Sequence, residues 1–518
     1  MTLHDLVSAL DARGLLVAAG SSPMSGDAGL RPVTGIAYDS RNVGPGAVFV
    51  GVRGERADGS AFASQAVARG AAAIVAEQPS AAPGSAPWVQ VRDGRLALAV
   101  LAAAFYGHPS QSLLVAGITG TNGKTTTGYL VREIFEAAGL PCGLLGTVHY
   151  RVGALLREAS RTTPEAVELQ AMFRDMVDAG CRACAMEVSS HALDLRRVDE
   201  TRFAAAVFTN LTRDHLDYHH DMDRYFAAKR RLFELLPPGA PAILNIDDPN
   251  VASLAGQLPN AVTFAVDRPA DVMPASAPES LMGLSFDART PAGLLRVESR
   301  LVGRFNLYNL LGAAATGVAL GLPLPAIERG LAAVAAVPGR LQVVSDPEDA
   351  VVVIVDYAHT DDALKNVLET VRPLAKARMI TVFGCGGDRD RTKRPLMGAV
   401  AARMSDLVVI TSDNPRSEDP DAIIDDVERG IAPVSERTRG AAGVTTRSRD
   451  RSGPDWIRIA DRHAAILRAV RDAGPGDVVV IAGKGHEKTQ VLRDREIPFD
   501  DAAVAREALG ARRGEAGS

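Results

Sequence analysis

The stretch GITGTNGKTTTGYL, residues 117–130, constrains the fold more than any other part of this chain. It follows the apolar run LLVAGIT and opens into a helical pattern, so it joins a strand to a helix through a glycine-rich turn. A strict phosphate-binding P-loop has a glycine six residues before its lysine. Here that glycine lies one position earlier, at Gly117. A plain tight turn would explain the glycines but not Gly-Lys-Thr-Thr at the start of a helix, so the stretch predicts a nucleotide site.

In a turn of this kind, backbone N–H groups and the following helix N-terminus can surround phosphate oxygens. We expect Lys124 to reach the terminal phosphates of a nucleotide and the hydroxyl of Thr125 to ligate Mg²⁺. The predicted ATP-binding residues of the loop are Gly120, Thr121, Asn122, Gly123, Lys124, Thr125 and Thr126.

The 518 residues divide into three blocks of alternating strand and helix patterns. Residues 1–112 end at a Pro/Ser linker, residues 113–338 carry the glycine loop and end near a Pro-Gly pair, and residues 339–518 form the rest. Four apolar runs in the last block end in small or polar residues, as in a doubly wound sheet. The predicted fold class is therefore α/β, with an N-terminal α/β domain, a central P-loop ATPase-like parallel-sheet domain and a C-terminal Rossmann-like domain. Residues 435–456 and the tail from 511 are predicted to be irregular.

Composition argues against several classes of protein. An apolar fraction of 47% and a charged fraction of 23% are those of an ordinary globular protein. The net charge of -5 gives no basic surface for nucleic acid. No apolar run approaches the ~18 residues of a membrane span, and the N-terminus lacks the pattern of a signal peptide. We therefore expect a cytoplasmic protein without membrane insertion.

Two of the four cysteines, Cys181 and Cys184, have the C-x-x-C spacing of some redox and zinc sites. They lie in CRACAMEV, which is typical of the entry into a buried strand, and no second pair follows. Buried, reduced thiols are the favoured interpretation.

Two further segments carry candidate metal ligands. Glu187 ends the apolar run ACAMEV, where an acid at a strand end could hold a metal ion or could be merely solvated. The segment TNLTRDHLDYHHDMDRYFAAKRRLF places His215 and other histidines shortly before Lys229. Because histidine clusters are often simple surface polarity, the residues alone leave the metal interpretation open.

GITGTNGKTTT, MEVSSHAL, TNLTRDHLDYH and YFAAKRRLF occur together in this order, and the combination resembles the Mur ligases, the ATP-dependent amide ligases of bacterial cell-wall synthesis. That family has the same shifted glycine. The resemblance implies catalytic roles for Lys124, Glu187, His215 and Lys229, and Mg²⁺ ligation by Thr125, Glu187, His215 and Lys229. Lys229 matches the lysine that the family carries as a carbamate, N6-carboxylysine. Adding CO₂ to a neutral amine gives an anion that can support Mg²⁺ where an ammonium would repel it.

The resemblance also implies the reaction. The terminal phosphate of ATP passes to a substrate carboxylate, and an amine then attacks the resulting acyl phosphate. Further ATP contacts are implied for Asn306, Asn309, Arg340 and Asp356. The family usually has proline after DYAHT, where this chain has Asp361.

The N-terminal segment YDSRNVGPGAVFVGVRGERADGSAF resembles the uridine-nucleotide domain of Mur ligases that extend UDP-N-acetylmuramoyl-L-alanyl-D-glutamate. The implied contacts to this UDP-substrate come from Ser40, Glu55, Arg56 and Ala57, and those to its muramoyl dipeptide from Thr162, Thr163, Ser189 and Arg197. Arg161 and Leu195 stand where some members have asparagine and glutamine, so no contact is assigned to them.

Asp413, Asn414, Pro415 and Arg416 form the D-N-P-R motif of Mur ligases that add meso-diaminopimelate, and neighbouring motifs supply Arg389, Gly483 and Glu487. Diaminopimelate carries a distal carboxylate that lysine lacks. Two forked guanidinium groups suit that carboxylate, and Glu487 suits the distal ammonium. A helix start with an exposed arginine would explain the D-N-P-R motif alone, but not three motifs at successive strand ends.

Three alternatives are weaker. Folylpolyglutamate synthetase would lack the N-terminal block and the D-N-P-R motif, and a lysine-adding relative would lack the arginine pair. A P-loop switch would need neither Lys229 nor a third block. We expect a monomer that uses ATP as co-substrate, Mg²⁺ and small-molecule substrates, and that binds no nucleic acid.

Overall fold

The computed structural model of the chain describes residues 1–17, 29–54, 57–79, 86–275, 283–346, 348–440 and 455–516. Glu55 and Arg56, which are predicted to contact the UDP-substrate, lie outside these ranges. The described strands form five sheets, the three largest of which fall one to each sequence block.

Short apolar runs in the first block form a four-stranded parallel sheet. In chain order its elements are α1 (Leu3–Ala12), β1 (Gly35–Ala37), β2 (Ala47–Gly51), α2 (Ala63–Ala68), β3 (Ala73–Ala76), β4 (Trp88–Gln90) and α3 (Gly94–Phe105). Helix α3 begins after Asp93, whose carboxylate accepts a hydrogen bond from the backbone N–H of Leu96. Its alanine side chains, Leu98 and Leu101 are buried because α3 packs between this sheet and the central block.

The central block contains one eight-stranded sheet, whose strands are β5 (Leu114–Thr119), β6 (Cys142–Leu145), β7 (His149–Val152), β8 (Leu155–Glu158), β9 (Ala183–Glu187), β10 (Phe203–Phe208), β11 (Ala242–Asn245) and β12 (Ala261–Phe264). Their spatial order is β12-β11-β10-β5-β9-β6-β7-β8, and only the pairs β6–β7 and β7–β8 are antiparallel. The helices are α4 (Lys124–Ala137), α5 (Ala166–Asp178), α6 (Ser190–Asp194), α7 (Leu216–His219), α8 (Met222–Glu234) and α9 (Pro249–Ala252).

Three neighbouring strands of that sheet, β10, β5 and β9, run parallel, so their carboxyl ends meet at one edge. The glycine loop follows β5, Glu187 ends β9, and the segment from Thr209 follows β10. The sheet topology therefore brings the three central motifs together.

A smaller antiparallel sheet and two helices complete the central block. The elements are β13 (Met273–Pro274), β14 (Leu284–Thr290), β15 (Gly293–Ser299), α10 (Arg304–Ala319) and α11 (Leu324–Ala333). Helices α10 and α11 both pack on α4, and their apolar residues share one core with it. This packing fixes the helix that the glycine loop opens.

The third block contains a six-stranded sheet of spatial order β16-β17-β21-β18-β19-β20, in which only β16 is antiparallel. Its elements are β16 (Gln342–Val343), β17 (Val352–Asp356), α12 (Asp361–Val371), β18 (Met379–Phe383), α13 (Lys393–Met404), β19 (Leu407–Ile410), α14 (Pro420–Gly440), β20 (Asp455–Arg458), α15 (Arg462–Asp472) and β21 (Val478–Ala482). A hairpin, β22 (Thr489–Val491) with β23 (Glu496–Pro498), and helix α16 (Asp501–Ala516) follow. Parallel sheets in all three blocks confirm the predicted α/β class.

Two predictions of irregular structure are wrong in part. Helix α14 continues to Gly440 and β20 begins at Asp455, because residues 435–439 are helix-compatible and contain no proline or glycine; residues 441–454 lie outside the described ranges. Helix α16 extends to Ala516, since Arg512 donates to the carbonyl oxygen of Val470 and Arg513 pairs with Asp349.

All four cysteines are buried and unpaired, as favoured for Cys181 and Cys184. Among the helices of the described ranges, none combines the length and the apolar character that a membrane crossing requires.

Candidate active site

The backbone of the glycine loop surrounds the ammonium group of Lys124. The ammonium of Lys124 donates hydrogen bonds to the carbonyl oxygens of Gly120 and Thr121, at 2.9 and 2.8 Å. Gly120 has a φ of 141°, and a Cβ there would lie 1.9 Å from the hydroxyl oxygen of Thr209, so only glycine fits. Burial lowers the pKa of Lys124, which the carboxylate of Glu187 partly opposes. The amine of Lys124 therefore lies inside the loop, hydrogen-bonded to the loop backbone.

Two residues that the sequence did not single out hold this loop from the end of β10. The side-chain oxygen of Asn210 accepts the backbone N–H of Asn122 at 2.9 Å, and the hydroxyl of Thr209 donates to the carbonyl oxygen of Asn122 at 2.6 Å. The amide nitrogen of Asn122 in turn donates to Asp362 of α12, at 3.3 Å. The only sequence signal for Thr209 and Asn210 was their place in TNLTRDH, directly after a strand.

The two predicted asparagines of α10 are hydrogen-bonded to each other, and Asn309 lies against the loop. The side-chain nitrogen of Asn309 donates to Asn306 at 3.0 Å, and the hydroxyl of Thr127 donates to Asn309 at 3.4 Å. A Cβ at Gly123, whose φ is 85°, would lie 2.3 Å from the side-chain oxygen of Asn309. The structure thus places Asn309 against the loop and Asn306 against Asn309.

The third block reaches the loop through Arg340. Its guanidinium donates to the hydroxyl oxygen of Thr125 at 3.2 Å and lies over the ring of Tyr357, 4.6 Å from its centre. Both carboxylate oxygens of Asp356 accept backbone N–H groups, from Leu341 at 2.7 Å and Ala358 at 2.8 Å. Burial raises the pKa of Asp356. Asp356 therefore orders the backbone next to Arg340.

Lys229 projects from α8 to the same loop and is almost fully buried. Its amine donates to the carbonyl oxygen of Gly120 at 2.7 Å and lies 4.5 Å from the ring centre of Tyr225. Burial first, and the ammonium of Lys124 second, lower the pKa of Lys229 well below its ordinary value. The neutral amine, which is the form that reacts with CO₂, is thereby favoured.

Glu187 and His215 both lie close enough to these lysines to interact with them electrostatically. Glu187 accepts hydrogen bonds from the backbone N–H and the hydroxyl of Thr147, at 2.8 and 3.0 Å. His215 has a left-handed backbone, and its Nε2 lies 3.4 Å from a carboxylate oxygen of Asp214. Burial lowers the pKa of His215 to about 3, so its imidazole is neutral at pH 7. In the described ranges, no three His, Cys, Asp or Glu side chains converge so as to hold a metal ion by themselves.

A cavity of about 350 Å³ opens between the central and third blocks. Asp214 and His215 line it from the central block. Six of the seven residues predicted to bind diaminopimelate line it from the third block: Arg389, Asp413, Asn414, Arg416, Gly483 and Glu487. They follow the carboxyl ends of β18, β19 and β21, where a doubly wound sheet offers a ligand site. We call these six residues the third-block cradle.

Hydrogen bonds orient the cradle. The side-chain nitrogen of Asn414 donates to Glu487 at 2.8 Å, and the guanidinium of Arg416 donates to the carbonyl oxygen of Gly387 at 2.8 Å. Burial and the neighbouring guanidinium of Arg389 lower the pKa of Arg416. Arg416 also has a φ of 52°, an uncommon backbone conformation that recurs at functional sites. Pro415 is buried beside them and is not among the residues that line the cavity.

The residues predicted to contact the muramoyl dipeptide form one cluster next to Glu187. The hydroxyl of Thr163 donates to the carbonyl oxygen of Glu187 at 2.8 Å and accepts the backbone N–H of Ser189 at 3.0 Å. Arg197 donates to the carbonyl oxygen of Thr163 at 3.2 Å, and the hydroxyls of Thr162 and Thr147 lie 3.1 Å apart. These four side chains are thus brought together.

The two described residues of the UDP prediction lie in the first block. Ser40 is buried, and its hydroxyl donates to Gln65 at 2.5 Å. Ala57 is exposed, and its carbonyl oxygen accepts the backbone N–H of Gly54 at 2.9 Å.

Comparison with known proteins places all three blocks in one family. Family models match at residues 32–106 (Mur ligase family, catalytic domain), 118–317 (Mur ligase middle domain) and 339–485 (Mur ligase, glutamate ligase domain). The chain is 49% identical to the UDP-N-acetylmuramoyl-L-alanyl-D-glutamate–2,6-diaminopimelate ligase of Geobacter metallireducens, over 90% of this chain and 92% of that one. It is 48% identical to the enzyme of the same name from Solibacter usitatus, over 94% and 95%.

A solved structure of a UDP-N-acetylmuramoyl-L-alanyl-D-glutamate–2,6-diaminopimelate ligase is 31% identical to this chain. It covers 99% of both chains with a TM-score of 0.68. Sequence and structure agree along nearly the whole length. The chain belongs to the Mur ligase family.

Proposed function

We propose that this protein is the ATP-dependent ligase that adds meso-2,6-diaminopimelate to UDP-N-acetylmuramoyl-L-alanyl-D-glutamate in the synthesis of peptidoglycan precursors. The observation that carries the proposal is the shared cavity, which Arg389, Arg416 and Glu487 line together with His215 of the central block. Groups suited to the distal end of a diamino acid therefore face the block that carries the nucleotide loop. The names of the relatives that are 44–49% identical support the same reaction.

The reaction requires activation of a carboxylate, which is a poor electrophile. The terminal phosphoryl group of ATP passes to the carboxylate of the D-glutamyl residue, giving ADP and an acyl phosphate. The amine of the diamino acid attacks the acyl carbon, and the tetrahedral intermediate releases phosphate. In such a transfer the protein mainly positions the reactants and stabilises negative charge.

We assign the phosphate-facing roles to the central loop and to Arg340. Lys124 would exchange its carbonyl partners for phosphate oxygens, which are stronger acceptors for an ammonium. Arg340 adds a second cation from the third block at the hydroxyl of Thr125. Asn309 contacts Thr127 of the helix that the loop opens, and Asn306 holds Asn309 in place. Closure of the third block on the loop would then complete the site.

The residues present fit Mg²⁺ when an anion is added at Lys229. Thr125, Glu187 and His215 offer a hydroxyl, a carboxylate and a neutral imidazole, which together carry one negative charge. The neutral amine of Lys229 would react with CO₂ to give a carbamate and a proton, supplying a second anionic group. We propose that these four residues hold Mg²⁺, which when bound neutralises charge on the transferring phosphoryl group.

Recognition of the diamino acid rests on paired charges. Arg389 and Arg416 would bind the distal carboxylate, and Glu487 the distal ammonium. The lowered pKa of Arg416 reflects two cations and burial, an arrangement that an incoming carboxylate relieves. L-lysine has no distal carboxylate and would leave both guanidinium groups without an anion, so it should be rejected.

The remaining contacts position the UDP-substrate. We assign the muramoyl dipeptide to Thr162, Thr163, Ser189 and Arg197, because their cluster adjoins Glu187. The uridine end falls to the first block, with Ser40 and Ala57 among its contacts. We further propose that the protein acts as a monomer in the cytoplasm, on small molecules rather than nucleic acid.

The test is release of ADP in reactions that contain ATP, the UDP-muramoyl dipeptide and meso-diaminopimelate, with each substrate omitted in turn. ADP should form only with all three, together with a product in which the diamino acid is joined to the dipeptide. ADP release without the diamino acid would favour a nucleotide switch. Use of a folate in place of the UDP-substrate would favour folylpolyglutamate synthesis.

A further inference from the structure

Lys484 is a fully buried cation that directly follows the cradle residue Gly483. Its ammonium donates hydrogen bonds to the side-chain oxygen of Asn414 at 2.9 Å and to Oε2 of Glu487 at 2.8 Å. Both partners are cradle residues, whereas Lys484 is not among the residues that line the cavity. A buried ammonium is tolerated only when it is paired and hydrogen-bonded. Two cradle residues therefore stabilise the buried charge of Lys484, and Lys484 in turn fixes the side chains of those two residues.

The first consequence concerns the amide of Asn414. Its side-chain oxygen accepts two donors, the ammonium of Lys484 and the backbone N–H of Val491 at 3.0 Å. A flipped amide would turn its NH₂ group toward both of these donors, and both of these hydrogen bonds would be lost. The nitrogen is thereby forced toward Glu487, to which it donates at 2.8 Å.

The second consequence concerns the carboxylate of Glu487. Oε2 accepts hydrogen bonds from both Lys484 and Asn414, so this oxygen is fully engaged. Oε1 makes no hydrogen bond to any residue that the structure describes, and Glu487 lines the cavity. The two donors thus fix the carboxylate by one oxygen and leave the other for a ligand.

The two oxygens of the Glu487 carboxylate also differ in the charges that surround them. Lys484 compensates the charge of Glu487 at Oε2, so an incoming ammonium meets an oriented acceptor rather than an isolated carboxylate. Recognition at this end of the cavity then depends on the position of Oε1 as well as on its charge.

We infer that Lys484 is a positioning residue for the diamino-acid site: it locks the orientation of Asn414 and Glu487 so that Oε1 of Glu487 can accept the distal ammonium of the substrate. This inference rests on the proposed function. It assigns Lys484 no contact with the substrate and no part in phosphoryl transfer.

The test compares Lys484→Met, Lys484→Arg and the control Lys488→Met in steady-state assays. Lys488 lies four residues further on, is exposed and pairs with Asp500 outside the cradle. Methionine keeps the length of the lysine side chain and removes its charge. Lys484→Met should raise KM for meso-diaminopimelate roughly tenfold or more, because a buried charged pair loses one partner. KM for ATP should stay within about twofold of wild type.

Two further measurements separate positioning from mere packing. Lys484→Arg, which keeps the charge and the donors, should recover part of the loss in KM. In a cycle with Glu487→Gln, the effect of Lys484→Met should be much smaller than in wild type, because the residue on which it acts has been altered.

Loss of the folded state in Lys484→Met would move the test to Lys484→Gln, which keeps a donor without the charge and should give an intermediate KM. An unchanged KM for meso-diaminopimelate in a folded variant, or an equal rise in KM for ATP, would overturn the inference. Failure of the proposed function looks different, since the wild type would then make no product with meso-diaminopimelate at all.

Discussion

The nucleotide loop and the third-block cradle use their cations in opposite ways. At the loop, the amines of Lys124 and Lys229 both donate to the carbonyl oxygen of Gly120, and their proximity lowers the pKa of Lys229. In the third block, Lys484 pairs with the carboxylate of Glu487, and the guanidinium of Arg416 donates to the carbonyl oxygens of Gly387 and Asn414 beside an open cavity. At the loop, two amines share one carbonyl acceptor, whereas in the third block a carboxylate compensates the charge of Lys484 and the guanidinium groups of Arg389 and Arg416 remain close together.

The difference indicates where each region must change on binding. In the proposed function, phosphate oxygens replace protein partners of Lys124, and a carbamate adds an anion at Lys229. The cradle already holds its donors and acceptors in place, so selectivity there is built into the folded protein. The loop is thus a site completed by its ligands, and the cradle is a site prepared for one.

The largest effect is expected at the loop. Lys229→Ala should reduce ligation by roughly a thousandfold, about 4 kcal/mol, because the proposed metal site loses its anionic support. The measurement is ADP release with all three substrates present.

Two controls sharpen that result. Lys365→Ala, at an exposed lysine of α12 that pairs with Glu369, should be unaffected. Short carboxylic acids should partly restore Lys229→Ala, whereas excess bicarbonate should not. Full activity of Lys229→Ala would end the carbamate proposal.

The second-largest effect is expected at a buried ion pair that anchors the backbone next to the cradle. Arg462 and Asp501 form a completely buried ion pair with two hydrogen bonds of 2.7 Å. Arg462 also donates to the carbonyl oxygens of Ser412 and Ala482, each directly before a cradle residue. Arg462→Met should lower the free energy of unfolding by about 3–4 kcal/mol, because it leaves a buried carboxylate without its partner.

Chemical unfolding followed by circular dichroism measures that loss. The double variant Arg462→Met, Asp501→Leu should recover most of it, since no buried charge is then left unpaired. A loss below about 1 kcal/mol in the single variant would show that the pair does not brace the cradle.

A smaller effect is expected from Arg416→Ala. Loss of charge-assisted hydrogen bonds to the distal carboxylate, worth about 1.5–3 kcal/mol, should raise KM for meso-diaminopimelate by roughly 10- to 100-fold. KM for ATP should be nearly unchanged. Steady-state titrations of each substrate decide the matter, and equal changes in both constants would place Arg416 outside the cradle's function.

The smallest effect is expected in the pH dependence of the free energy of unfolding of the ligand-free protein. Burial and Lys124 lower the pKa of Lys229 below its ordinary value of 10.5. Between these two pKa values the unfolded chain binds a proton that the folded protein does not, so the free energy of unfolding rises with pH in that window. Lys229→Met removes this term, and the variant should therefore be more stable than wild type at pH 7. The gain should shrink as the pH approaches 10.5.

Thermal unfolding in buffers free of CO₂ and bicarbonate checks this, since a carbamate would alter the wild type. A stability difference that stays constant with pH would contradict the account.

Sequence reasoning succeeded where chemistry lies in contiguous motifs at strand ends. The residues after β18, β19 and β21 could be assembled because parallel strands bring their carboxyl ends to one edge. Arg416 and Glu487, which come from different motifs, accordingly line one cavity.

Sequence reasoning failed where a contact joins two residues that lie far apart in the sequence. Asn210, which holds the loop, lies 88 residues from Asn122, and nothing in its local pattern marks the contact. No local pattern marks Lys484, because its burial and its pairing with Asn414 arise only in the folded protein. Helix α14 extends past residue 435, where irregular structure was predicted. The helix propensity of residues 435–439 outweighs a composition that is typical of loops.

The central claim is that the cradle is prepared for a second carboxylate-bearing end. Its most direct test is a competition in which wild-type protein, ATP and the UDP-muramoyl dipeptide meet equal concentrations of meso-diaminopimelate and L-lysine. The ratio of the two products, resolved by mass, equals the ratio of their kcat/KM values. The account predicts at least a roughly hundredfold excess of the diaminopimelate product, about 3 kcal/mol of discrimination. Comparable amounts of both products would contradict it.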